Sequence, residues 1–234
     1  MTTTVAELVG RLRTEFLDDA IAAEEDDYRW PSVVVVSALN SAHKELARRL
    51  LLIGDSTTAE TCQVTVAAGD DGAFPRTVAI SPKVLRVDRL KFPGLTTPLR
   101  QTSQAALDCR DPGWDEKTGT PAAFFVSPVE STLTFNRQPV TGGTVALAVR
   151  RLPLQDFTVG GLSAGVPERL EFFGLDDAVC HAALKYLYMR DDKKTFDPQR
   201  ASLWSSQLEE DIRQIIRHRA EISPDEPLMQ GMDW

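Results

Sequence analysis

Cysteine is scarce in this chain of 234 residues, and the three present, Cys62, Cys109 and Cys180, are scattered without CxxC spacing. That excludes a disulfide framework and a zinc site, and it suits a reducing cytoplasm. Positive charge is in deficit too. Twenty-six Lys and Arg against 34 Asp and Glu leave a net charge of -8, so bulk electrostatics oppose a grip on nucleic-acid phosphates. Long apolar runs are missing. Val33–Val36 is far too short to cross a bilayer, and no membrane partner is expected. The opening residues lack a basic segment followed by an apolar stretch, so no signal peptide is read and folding in a cytoplasm is expected. Neither G-x-x-x-x-G-K-[ST] nor G-x-G-x-x-G occurs, and there is no HExxH. No nucleotide, other cofactor or metal is therefore expected.

What is present is an order of patterns. Thr4 and Glu7 form a capping box, followed by Val5, Leu8, Leu12 and Phe16 at helical spacing. After the acidic stretch Glu24–Asp27, Trp30-Pro31-Ser32 opens a second helix. Its apolar stripe is Val35, Leu39, Ala42, Leu46, Leu50 and Ile53, with Gly54 as C-cap. From Glu60 the period changes to two. Residues 61–66, 77–80, 84–91, 122–127, 132–136 and 144–151 read as strands separated by Gly- and Pro-rich turns. Short strands with tight turns predict an antiparallel sandwich or barrel. Residues 152–166 read as a linker. Helical spacing returns at Pro167 with Leu170, Phe173, Cys180, Leu184 and Leu187, and again from Pro198 with Ala201, Trp204, Leu208, Ile212 and Ile215. The fold class expected is α+β: a helical bundle from both chain ends, residues 1–58 and 153–222, around an inserted β domain at 59–152. A tail follows at 223–234.

Three constellations invite chemistry. Gly161-Leu162-Ser163-Ala164-Gly165 matches the G-x-S-x-G turn of hydrolases, with Asp176 or Asp177 and His181 or His218 following in order. That turn needs a strand running straight into it, and the predicted strand ends near Arg151, so a Gly/Ser linker is the better reading. A serine hydrolase using Ser163 stays as the alternative from another class. His43, His181 and His218 lie on predicted helices without a metal-ligand partner at i+3 or i+4. Asp108, Asp111, Asp115 and Glu116 crowd around Trp114. Their spacing is not that of an EF-hand, and Asp111-Pro112-Gly113-Trp114 reads as an Asp-capped turn on a buried Trp. The tail is polar except for Leu228, Met229, Met232 and Trp234. It reads either as an unordered end or as a peptide that docks in a groove on a partner, where Trp and Met serve as anchors.

Taken in order, Val5-x-x-Leu8-x-x-x-Leu12, Arg29-Trp30, Leu39-Asn40-x-Ala42-x-x-Glu45-Leu46, Leu107-Asp108, Asp111-Pro112-Gly113-Trp114, and Gly119-Thr120-Pro121 before Phe124-Phe125 resemble the adaptor proteins of the phage head-to-tail connector. The aromatic strand carries Phe where that family leads one to expect Tyr. The resemblance implies a non-enzymatic virion protein that forms a ring, typically of twelve copies, beneath the portal and links it to a downstream neck or tail protein. DNA would pass through the centre without specific binding. It also implies portal docking by the tail, with Leu228, Met229, Met232 and Trp234 as anchors. Another neck component, such as a tail terminator, is the alternative within the class. Twelve copies would carry about -96, and an acidic lumen repels passing phosphates. A ring also needs a heterologous interface between two different faces of each subunit.

Overall fold

The capping box is present: the Thr4 hydroxyl accepts from the Glu7 amide at 3.2 Å, and the Glu7 carboxylate accepts from the Thr4 amide at 2.7 Å. The computed structural model describes residues 3–17, 30–70, 72–127, 129–162, 168–172, 174–190 and 195–222. Two compact units emerge, Met1–Leu50 with Gln155–Trp234, and Leu51–Leu154.

In the first unit, α1 (Val5–Arg11) buries Val5, Leu8 and Val9, then widens into a π-type turn over Leu12–Phe16. Helix α2 (Ser32–Leu50) buries Val35, Leu39, Ala42, Leu46 and Leu50. The predicted stripe stops there. Leu51 takes a left-handed φ of 48° and ends the helix, which is the job the sequence pattern gives to Gly54. Ile53 and Gly54 instead belong to a strand of the second unit.

The helix predicted from Pro167 begins only at Asp176; α5 covers Asp176–Met189. Leu170 and Phe172 are buried, yet they lie outside any helix. The Val5 amide donates to the Glu168 carbonyl at 2.9 Å, and Thr4 and Arg169 form an isolated antiparallel bridge. The backbone here satisfies itself against the start of α1 rather than by coiling. Helix α6 (Pro198–Ile222) buries Ala201, Leu208 and Ile212, with Trp204 and Ile215 half-buried. Helix α5 packs against both α2 and α6.

The expected linker at 152–166 is partly tied down. The Asn40 amide group brackets the Phe157 backbone, accepting from its N–H at 2.8 Å and donating to its carbonyl at 3.0 Å. The Phe157 ring stacks on His43 at 5.0 Å, and Val159–Leu162 form one 3-10 turn.

The second unit holds β1 (Ile53–Asp55), α3 (Ala59–Cys62), β2 (Gln63–Val66), β3 (Thr77–Ala79), β4 (Val84–Lys91), β5 (Arg100–Gln101), α4 (Gln104–Arg110), β6 (Ala123–Ser127), β7 (Thr132–Phe135) and β8 (Gly143–Arg151). Strand β8 is the axis of one sheet: β1 and β2 pair along one edge and β4 along the other, all antiparallel. The other sheet runs β3-β7-β6-β5, with β5 parallel to β6. One core serves both sheets. Val145, Leu147 and Val149 of β8 join Val87 and Leu90 of β4 and Phe124, Leu133 and Phe135 of the other sheet. The rings of Phe92 and Phe135 meet edge to face at 5.5 Å. The expected sandwich or barrel thus takes the form of two open sheets among the described residues, with no closed barrel. The edge strand β5 is only two residues long, too short to carry a ladder that closes a barrel. The chain is a mixture of helices and mainly antiparallel sheet.

Candidate interaction surfaces

Of the constellations that invited chemistry, His43, His181 and the acids Asp108 and Asp111 beside Trp114 are engaged in packing and local pairing. Ser163 lies outside the described residues, as do the tail anchors Leu228, Met229, Met232 and Trp234. The acids proposed to follow Ser163 are engaged elsewhere. Asp176 accepts from the Thr3 hydroxyl at 2.6 Å, and Asp177 pairs with Arg11 at 2.6 Å. His181 Nδ1 instead meets Asp211 of α6 at 2.6 Å, and its ring stacks on Trp204 at 5.3 Å with Phe16 edge-on at 5.8 Å. His43 is a core residue, sandwiched between Phe157 and the edge of Phe172. His218 is exposed, 3.9 Å from Glu221.

The carboxylates around Trp114 build a turn. Asp108 accepts from the Trp114 indole N–H at 2.7 Å, and Asp111 pairs with Lys117. Gly113 supplies the φ of 77° that lets the chain double back. Arg76 donates to the Trp114 and Lys117 carbonyls at 2.6 and 2.9 Å, with its guanidinium 5.5 Å from the Trp114 ring. Among the described residues no three His, Cys, Asp or Glu side chains gather as a metal would need.

The helical unit is laced by ion pairs between its helices. Arg49 of α2 binds Glu209 of α6 through two bonds of 2.6 and 2.7 Å, and Lys185 of α5 binds both oxygens of Glu45 at 2.9 and 2.8 Å. The Arg49 guanidinium holds the Glu209 carboxyl below its ordinary range. Burial pushes the Tyr186 hydroxyl up to about 12, and the neighbouring Glu45 carboxylate adds to that. The Cys180 thiol is raised to about 12 by burial and is inert as a nucleophile. Beside this lattice, α2 and the end of α5 frame a groove of about 500 Å³ lined by Val33, Val34, Ala38, Tyr186, Met189 and Arg190. Val33 is 62% exposed and Met189 60%.

A further surface escapes strict alternation. In β4, the register slips between Val84 and Arg86 and again between Val87 and Arg89. The two bulges turn Val84, Val87 and Leu90 all inward. They put Arg86, Arg89 and Lys91 on the outer face, opposite Arg150, Ala148 and Ala146 of β8. The signal in the sequence is the Val-x-x-Val-x-x-Leu spacing inside a strand. Charge is also divided unevenly. The unit Leu51–Leu154 holds eleven of the 26 basic residues and ten of the 34 acidic ones. The helical unit therefore holds fifteen and twenty-four, a net charge of -9 beside +1.

No helix of the described residues is long and apolar enough to cross a membrane. No curated protein matches the chain. The family described as SU10 adaptor protein matches residues 3–228. That family carries a structural adaptor role in the phage virion, between portal and tail components, and is not enzymatic. The match spans both units and nearly all of the sequence, so the chain belongs to the SU10 adaptor protein family.

Proposed function

We propose that this protein is the head-to-tail adaptor of a tailed phage. It assembles as a ring of twelve copies beneath the portal, joins it to the downstream neck or tail protein, and leaves a central passage for DNA. The observation that carries this reading is the family match over residues 3–228. Helices from both chain ends form the ring-building unit. Helices α2, α5 and α6 pack together in this unit, with ion pairs through Glu45, Arg49, Lys185 and Glu209 added at its surface, which suits a part that is repeated around an axis. The concentration of negative charge in this unit suits a passage that DNA must slide through rather than stick to. The tail, residues 223–234, docks on the portal through Leu228, Met229, Met232 and Trp234. Assembly takes place in the host cytoplasm, and the product sits at the neck of the virion.

Native mass spectrometry of the full-length protein, alone and mixed with its portal, tests this. The expected result is a ring of about twelve copies on the portal. A small closed dimer or tetramer that ignores the portal would overturn the reading.

A further inference from the structure

The outer face of the sheet centred on β8 is the least explained surface of the molecule. Its floor is small and open: Thr144 and Ala146 are exposed, Ala148 is half-buried, and exposed Gly54, Gln63 and Thr65 flank them on β1 and β2. Along one border stand Arg86, Arg89 and Lys91, with Arg150 rising from β8 itself. Among the described residues, Asp88 pairs with two of these four cations. Asp88, the extra residue of the second bulge, accepts from Arg86 Nε at 2.6 Å and from Arg150 Nε at 2.9 Å. Arg89 and Lys91 are exposed and make no ion pair among the described residues. Strict alternation along 84–91 would have put Arg86 on the same side as Val84 and Leu90. The bulges cost ladder hydrogen bonds, and what they yield is a row of cations on one side with all the apolar residues on the other. A sheet face needs no such row to stay soluble, and cations beside small exposed side chains are suited to a carboxylate-bearing protein surface.

We propose that this face is one half of a contact between copies of the chain: Arg89 and Lys91 of one copy meet carboxylates on the helical unit of a second copy. Charge complementarity selects that occupant. The helical unit carries -9 while the β unit is close to neutral at +1, so two helical units repel each other and the cation row is drawn to the helical unit of another copy. The contact is heterologous, two different faces meeting, which is the type that closes into rings. The inference rests on the ring reading and names one of its interfaces.

Lys91 makes it directly testable. A carbodiimide joins a lysine Nζ to a carboxylate with loss of water, and only where the two are in contact. Full-length protein labelled with heavy nitrogen is mixed with unlabelled protein, assembled alone and on portal, treated with the carbodiimide and digested. The expected product is a peptide linking Lys91 of one isotope to an Asp or Glu of residues 1–50 or 155–234 of the other. It should disappear at high salt, because exposed pairs are screened. Lys91→Arg should abolish the link but keep assembly. The paired change Arg89→Glu/Lys91→Glu, at exposed positions, should weaken association about tenfold or more. Assembly that proceeds without any Lys91 link between copies, or that the paired change leaves untouched, overturns this inference and leaves the ring standing. A chain that stays monomeric even on portal removes both. Protection of Lys91 by duplex DNA at physiological salt would assign the face to nucleic acid and overturn the proposal.

Discussion

Asp55 on β1 and Arg151 at the end of β8 form an ion pair, Oδ2 to Nε 2.6 Å, with side chains only 5% and 8% exposed. In the sequence, β1 begins soon after α2, and β8 ends just before the segment that returns to the helices. Burial alone would raise the Asp55 pKa. Amide donations from Thr57 and Thr58 at 3.0 and 3.2 Å and the Arg151 guanidinium outweigh it, so the carboxyl sits far below its ordinary range. Asp55→Asn would remove the carboxylate charge that faces a buried guanidinium and is expected to cost about 3–5 kcal/mol. Adding Arg151→Met should restore much of that. Urea denaturation of the single and double variants measures both.

The same pair sets an acid limit. The folded pKa of Asp55 is depressed, so its contribution is present above the unfolded value of about 3.9 and is lost as pH falls through the folded value. Wild-type stability should therefore decline steadily below about pH 4. In Asp55→Asn that part of the decline should be missing. Thermal melts at a series of acid pH values decide it: parallel curves for the two proteins would show that Asp55 is not the responsible group.

The lattice through Arg49 and Glu209 should behave differently. Their side chains are 33% and 48% exposed, and pairs of that kind contribute about 0–1 kcal/mol and are screened by salt. Glu209→Gln is expected to lower stability by under about 1 kcal/mol, and less still at high salt. Leu208, the next residue along α6, is fully buried, and Leu208→Ala should cost about 2–5 kcal/mol regardless of salt. If the order were reversed, the helices would be held by charge rather than by packing.

The sequence made some of this architecture readable. Helical stripes such as Val35, Leu39, Ala42 and Leu46 need only a period of 3.6, and the Thr4–Glu7 box is a local motif. Both depend on near neighbours, and so did the strand at 84–91. The errors fell where distant backbone decided the outcome. Leu170 has helical spacing, yet it sits beside a bridge to Thr4 across the whole chain. Helix α4 is short, its Ser103 cap accepting from Ala106 at 3.2 Å, and its buried content is a single residue, Leu107. Nothing in that stretch announces a stripe. The row Arg86, Arg89 and Lys91 was invisible to a period of two because bulges break the period. Of the chemistry-bearing candidates, Trp114 does sit buried on a turn, because Asp-Pro-Gly-Trp carries its own turn signal, but the Asp111 carboxylate pairs with Lys117 instead of capping it.

Gly142 offers a steric test of the sheet packing. A Cβ there would fall on the Val66 carbonyl oxygen and the Phe74 ring. Gly142→Ala is expected to destabilise by about 1–3 kcal/mol through overpacking. Gly160 meets only the Thr158 hydroxyl at 3.6 Å, an ordinary contact, so Gly160→Ala should stay within about 0.5 kcal/mol of wild type. Chemical denaturation of the two variants side by side separates close backbone approach from a general intolerance of added volume.

Removing residues 223–234 separates folding from docking. The buried residues of α6, Ala201, Leu208 and Ile212, all precede the cut, and Arg219 near the helix end already donates to the Leu50 carbonyl at 2.6 Å. The shortened chain should therefore keep the melting midpoint of the full protein. Portal binding is another matter. The proposed anchors Leu228, Met229, Met232 and Trp234 fall within seven positions, a pattern that suits insertion into a partner's pocket. Truncation should abolish portal binding, and Trp234→Ala alone should weaken it by about tenfold or more. A truncated chain that melts like wild type and still binds portal with undiminished affinity would place the docking surface on the folded units instead. The groove beside Val33 and Met189 would then be the first place to substitute.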